Sequence, residues 1–200
     1  MRLTKRGVQT GWAAVLVALL VCAGAARAED AAPVTGVRGD MIKSIDDARS
    51  ELVELAEAMP AGKYSWRPAK GVRSVGEVYM HVVQANYLIP TIMNVAPPEG
   101  VDMKGLDAIA GDKTKVVAAL KASFDHATNA VRNSPDADLE KPVKIFGKDG
   151  TVRELEFIIV THAHEHLGQS IAYARMNGVT PPWTAREMAA QAASDKAKTK

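Results

Sequence analysis

The chain predicts an all-α fold, a four-helix bundle, and three observations carry that expectation. Four long stretches repeat apolar residues at steps of three and four. Two of them open on a Ser/Thr-x-x-Glu capping box. Strand-like residues gather in one short segment ahead of the last long stretch, enough for a small hairpin and no more.

The first helix is expected from about Arg38 to Met59, with the stripe Met41, Ile45, Ala48, Leu52, Leu55, Met59. Pro60-Ala61-Gly62 ends it, and Lys63 to Val72 reads as a loop carrying Tyr64, Trp66 and Pro68. Ser74-Val75-Gly76-Glu77 caps the second helix, in which Glu77 reaches back to the N-cap. That helix is expected to run to about Met93, with Pro90 as a kink or early stop and the stripe Val78, His81, Ala85, Leu88, Ile92. Residues 94–111 are rich in Pro and Gly. A helix 2–3 connection of that length leaves room for a crossover in place of simple up-down topology.

The third helix spans roughly Asp112 to Asn133, with Val117, Leu120, Phe124, Ala127 and Val131 on one face, and Ser134-Pro135 stops it. Val143 to Phe146 reads as a strand and Gly147 to Gly150 as its turn. Thr151-Val152-Arg153-Glu154 is the second capping box and launches a fourth helix to about Asn177, closed by Gly178. Its inward stripe is Leu155, Ile159, His162, His166, Gln169, Tyr173, Met176. The bundle is therefore expected over residues 38–183, with the Ala- and Lys-rich residues 184–200 as a frayed helix or solvated tail.

The start of the chain has a different character. Arg2, Lys5 and Arg6 precede an apolar stretch from Trp12 to Ala23, and Ala26-Arg27-Ala28 offers a cleavage site. Residues 1–28 read as a secretory signal and 29–37 as a flexible leader. The apolar run falls short of the ~20 residues of a membrane span, so no stable membrane anchor is expected after cleavage. The expected location is exported, periplasmic or secreted. The signal takes four of the 25 Lys and Arg and no acidic residue, leaving 21 basic against 23 acidic and a formal charge of −2. The apparent basicity belongs to the signal, and no nucleic-acid partner is expected. Cys22, the only cysteine, leaves with it, which excludes disulfides, thiolate ligands and a cysteine nucleophile.

Imidazoles in an apolar stripe are costly unless something satisfies them. Residues four apart on a helix lie within about 40° in projection, so His162 and His166 can hold one ion side by side. His81, on a facing helix, can complete a three-nitrogen set with an open position. Zinc, nickel and iron all suit such ligands. His164 falls on the opposite face and His126 beside the third helix's stripe, so neither joins the set. Glu165 and Gln169 are the candidates for a proton-handling or ligand-orienting role, against a solvated glutamate and a plain helix–helix hydrogen bond. Ala163 follows His162 where a zincin box requires glutamate, which disfavours a standard metalloprotease. The spacing alone leaves two readings open: a metal site and hydrogen-bonded core histidines.

Three stretches carry a resemblance. They are Trp66-Arg67-Pro68 leading into Gly71 to His81, then His162-x-x-x-His166-Leu167-Gly168-Gln169, then Arg175 to Pro182. Together they resemble the DinB-like (damage-inducible) family of metal-binding four-helix bundles, over roughly Arg38 to Trp183. The resemblance implies a divalent metal on His81, His162 and His166, and a homodimer as the default assembly. It also implies metal-dependent chemistry on a small molecule, in some relatives a low-molecular-weight thiol. An export signal sits poorly with a cytosolic thiol. The functional expectation is thus an exported, metal-dependent hydrolase or transferase with an unassigned small-molecule substrate. The alternative is a non-enzymatic metal-binding or stress-response protein of the cell envelope.

Overall fold

In the computed structural model, residues 34–199 are described; the expected secretory signal and most of the expected leader lie outside them. The four expected helices are α1 (Gly36–Ala58), α2 (Val75–Leu88), α3 (Lys113–Arg132) and α4 (Val152–Met176). A hairpin of β1 (Pro142–Ile145) and β2 (Lys148–Thr151) precedes α4, and α5 (Pro182–Lys198) follows it. Among the described residues no helix is long and apolar enough to cross a membrane.

Helices α2, α3 and α4 each start on a side-chain cap. The Ser74 hydroxyl accepts from the Glu77 amide at 3.3 Å, and the Glu77 carboxylate accepts from the Ser74 amide at 2.7 Å. Thr151 and Glu154 repeat the arrangement at α4. Asp112 caps α3 by accepting from the Lys115 amide. At the far end of α4, Gly178 takes a φ of +74° and the Val179 amide returns to the Ala174 carbonyl, closing the helix.

α1 packs on α3 and α4, and α2 on the same two helices. Lys113 at the start of α3 donates to the Glu57 and Met59 carbonyls at the end of α1, so these two run antiparallel. Arg38 and Glu156, near the starts of α1 and α4, meet, so these two run parallel. Tyr173 near the end of α4 reaches the Arg73 carbonyl just before α2, so those are antiparallel. The topology is up-down-down-up. The connection between α2 and α3, which carries a short 3-10 turn at Leu106–Ile109, is the crossover its length suggested.

The core is made by the expected stripes, with Ile45, Leu52, Leu55, Leu120, Phe124, Leu155 and Ile159 all buried. Some members differ. Leu88 is 51% exposed and Met176 62% exposed, although both lie on inward stripes by spacing. Leu88 is the last residue of α2 before the chain tightens into a 3-10 turn at Ile89–Met93, which rotates the face away. Met176 is the last residue of α4. At the start of α3 the fully buried valine is Val116, with Val117 half-buried beside it.

Tyr64, expected in a loop, is fully buried and donates to the Ala56 carbonyl at 2.8 Å. The hairpin turn is Phe146-Gly147, with φ of +48° and +85°, in place of the four residues from Gly147 to Gly150. A two-residue turn with both φ positive matches the twist of the paired strands. The Ala- and Lys-rich end is helical but solvent-exposed, tied to α1 by Arg186 and Glu54 at 2.9 Å.

One buried pair leaves no mark in the residue pattern. Arg38 is 2% exposed and Glu156 is 0% exposed, with two guanidinium–carboxylate contacts at 3.3 and 3.4 Å. Asp136 also pairs with Arg38. Burial pushes the Glu156 carboxyl up from the usual range, and Arg38 pulls it back in part.

Candidate metal centre

His81 lies on the α2 face turned toward α4, and His162 and His166 lie one turn apart on the facing side of α4. One candidate ligand nitrogen from each lies within 4.8 Å of the other two. The Nε2 atoms of His81 and His162 are 3.2 Å apart. Two nitrogens bound tetrahedrally at about 2.05 Å would be about 3.3 Å apart, so this pair is already at ligand spacing. The three rings meet edge to face, with centroids 4.5 to 5.0 Å apart. Among the described residues no other cluster of three or more His, Cys, Asp or Glu could hold an ion.

The site lies at the edge of the core, not within it. His166 is buried at 7% exposure, while His81 and His162 are half-buried. Desolvation lowers the pKa of His162 to about 4, helped by His166, His81 and Arg73. Desolvation also lowers that of His81, and Arg73 and His166 add to it, against Glu165 and Asp107. Both imidazoles are therefore neutral near pH 7, the form a metal ligand requires.

The orientation of His166 follows from a chain of hydrogen bonds that reads in only one direction. The Arg73 carbonyl can only accept, so the Tyr173 hydroxyl donates to it at 3.2 Å. The Tyr173 oxygen in turn accepts from the Gln169 amide nitrogen at 3.1 Å. That turns the Gln169 oxygen toward Nδ1 of His166, 2.9 Å away, which must carry the proton. Nε2 of His166 is thereby the nitrogen left to face an ion. Trp66 packs edge-on against Tyr173, centroids 5.5 Å apart, and covers this relay.

The remaining candidates fall where their positions place them. Glu165 is exposed, and its charge is felt at His81. His164 is exposed and its Nδ1 lies 2.9 Å from the Val160 carbonyl, away from the triad. His126 is half-buried against the Tyr87 ring, with its Nε2 buried and unpartnered. Sequence reasoning missed Arg73 and the role of Tyr173. The signal was present, because Gln169 and Tyr173 continue the stripe of His162 and His166 in steps of three and four.

A cavity of about 260 Å³ opens beside His81, lined by Arg73, Glu77, His81, Gln84 and Asp107. The donor set fits a divalent ion: three converging imidazoles, one of them oriented by a side-chain amide.

Among the solved structures that resemble this one are two DinB-like proteins. A DinB-like protein from Bacillus cereus superposes with a TM-score of 0.63 at 17% identity, covering 73% of this chain and 95% of that one. A DinB-like protein from Bacillus subtilis, YjoA, gives 0.54 at 22% identity, covering 70% and 93%. At those identities the likeness is one of fold. No curated protein matches the chain. The family model described as the DinB superfamily matches residues 44–170, well over half of the chain and inclusive of all three histidines. The chain belongs to the DinB superfamily.

Proposed function

We propose that this protein is an exported, divalent-metal-dependent enzyme of hydrolase or transferase type that acts on a small molecule. The observation that carries the reading is the convergence of three imidazoles, one of them in a cavity wall, with no fourth His, Cys, Asp or Glu in the cluster among the described residues. A bound ion would supply Lewis acidity toward a water or thiol at the open position. His81, His162 and His166 hold it, and zinc, nickel and iron remain equally suited to three nitrogens. Gln169 fixes the ring and tautomer of His166 through its 2.9 Å hydrogen bond. Glu165, at the exposed rim, is the candidate proton acceptor.

Export rests on residues 1–28 of the sequence. A homodimer is part of the same reading. It is supported by the exposed Val37, Phe146 and Phe157, which a second copy would cover.

A non-enzymatic metal-binding protein of the envelope is the second reading. It is favoured by the absence of any carboxylate from the described cluster, which leaves no acid–base partner against the histidines. One experiment separates these. Protein purified from its own compartment is assayed for bound metal and for turnover of small esters, amides and thiol acceptors, beside His162→Ala. Metal with turnover supports the enzyme, and metal without turnover supports the second reading. No bound metal, or equal metal in His162→Ala, overturns both.

A further inference from the structure

We infer that Arg73 receives an oxyanionic group of the substrate, a carboxylate or phosphate, beside the histidine triad. The inference rests on the metal-site reading above and adds the chemical class of what enters the cavity.

Arg73 lines the same cavity wall as His81, together with Glu77, Gln84 and Asp107. The two acidic residues of that wall already have partners. Glu77 accepts from Arg67 at 2.8 Å and from the Ser74 amide at 2.7 Å. Asp107 accepts from the Gln84 amide at 2.8 Å. The ion pairs of the described residues include no contact of the Arg73 guanidinium. Its side chain is solvent-exposed, and its charge is felt at both His81 and His162.

The base of the residue is nevertheless held. Its carbonyl accepts from Tyr173, the last member of the relay that orients His166. Its neighbour Ser74 is the N-cap of the helix that carries His81. Arg73 is thus fixed at its backbone to the same parts that fix the ligands, while its guanidinium is left for a ligand. A planar fork of donors suits a carboxylate or phosphate and adds orientation as well as charge. An anion held there lies next to His81, the triad member that shares the cavity wall. The specificity is therefore for small molecules bearing an oxyanion close to the group attacked.

The test is equilibrium binding to the full chain loaded with cobalt(II), read from the visible absorption of the ion. Acetate and inorganic phosphate are titrated at about pH 8, where free imidazole is neutral and serves as the uncharged reference. Arg73→Gln is expected to weaken both anions about tenfold, the loss of one charge-assisted contact, and Arg73→Glu more. Imidazole affinity should stay within about twofold, because the variant removes charge and not access. Neither variant touches the carbonyl that Tyr173 uses, so folding and cobalt uptake should persist. Unchanged anion affinity in Arg73→Gln, or an equal loss for imidazole, overturns the inference alone. Failure of the unsubstituted protein to take up cobalt overturns the metal site and this inference with it.

Discussion

The Gln169 side-chain oxygen accepts from Nδ1 of His166 at 2.9 Å, and this one contact decides which nitrogen of His166 faces the other two imidazoles. Gln169→Leu keeps the volume and removes the acceptor. Metal affinity should fall about 10- to 100-fold, the usual cost of losing such support, measured by competition with a chelator of known affinity. Tyr173→Phe, which frees the far end of the amide, should fall in the same direction by less. Unaltered affinity in Gln169→Leu would remove the relay from the account.

Acid should weaken the metal-free protein in a predictable window. The pKa of His162 is about 4 in the folded chain, against roughly 6.5 when unfolded. The unfolded chain takes up the proton first, so the His162 contribution is complete above about pH 6.5 and is lost as the pH falls toward 4. His81 shifts the same way. The thermal midpoint of the metal-free protein should therefore drop more steeply between about pH 7 and 5 than that of His162→Leu. Parallel slopes for the two proteins would show that His162 is not the group responsible.

The buried Arg38–Glu156 pair gives a prediction about stability. Arg38→Met leaves a carboxylate stranded in the core, and such a loss costs about 3–5 kcal/mol. Burial already raises the pKa of Glu156. Without its partner the rise should grow, so the variant loses stability as the pH climbs through and above the normal carboxylate range and regains it in acid. Adding Glu156→Leu should return most of the loss. Denaturant titrations of the two variants at acid and neutral pH check this, and a double variant no better than the single one would refute it.

Gly76 marks a close approach that the sequence hid inside a capping box. A Cβ there would stand 1.8 Å from the Ala110 carbonyl oxygen. Gly76→Ala must push α2 and the crossover apart, at about 1–3 kcal/mol for overpacking of this kind. Because His81 lies further along the same helix, metal affinity should drop alongside the melting temperature. A melting temperature equal to the parent's would mean that the crossover yields freely at Ala110.

The bundle was legible because three-and-four spacing and capping boxes act locally, within a turn or two of the residues that show them. The triad was legible for the same reason: His162 and His166 share a face by spacing alone, and His81 lies on the stripe of another helix. What stayed hidden depends on contacts across the fold. Arg38 and Glu156 are 118 residues apart, and each alone reads as an ordinary charged helix position. Arg73 and Tyr173 are 100 apart, and their contact joins a side-chain hydroxyl to a main-chain carbonyl, which no residue pattern encodes. Leu88 and Met176 misled because spacing carries no information about where a helix outruns its neighbours. The hairpin turn was expected to start one residue late because Phe146 adopts a positive φ that composition assigns to glycine.

Both helices that carry ligands begin on a reciprocal cap, Ser74 with Glu77 and Thr151 with Glu154. A helix pinned at its first turn cannot slip along its own path. A slip of one residue would turn every side chain by about 100° and swing His81 out of the wall it shares with His162. The caps thus act as a phase lock on the ligand set. Their loss should show up as heterogeneity among the imidazole environments before any fall in helix content.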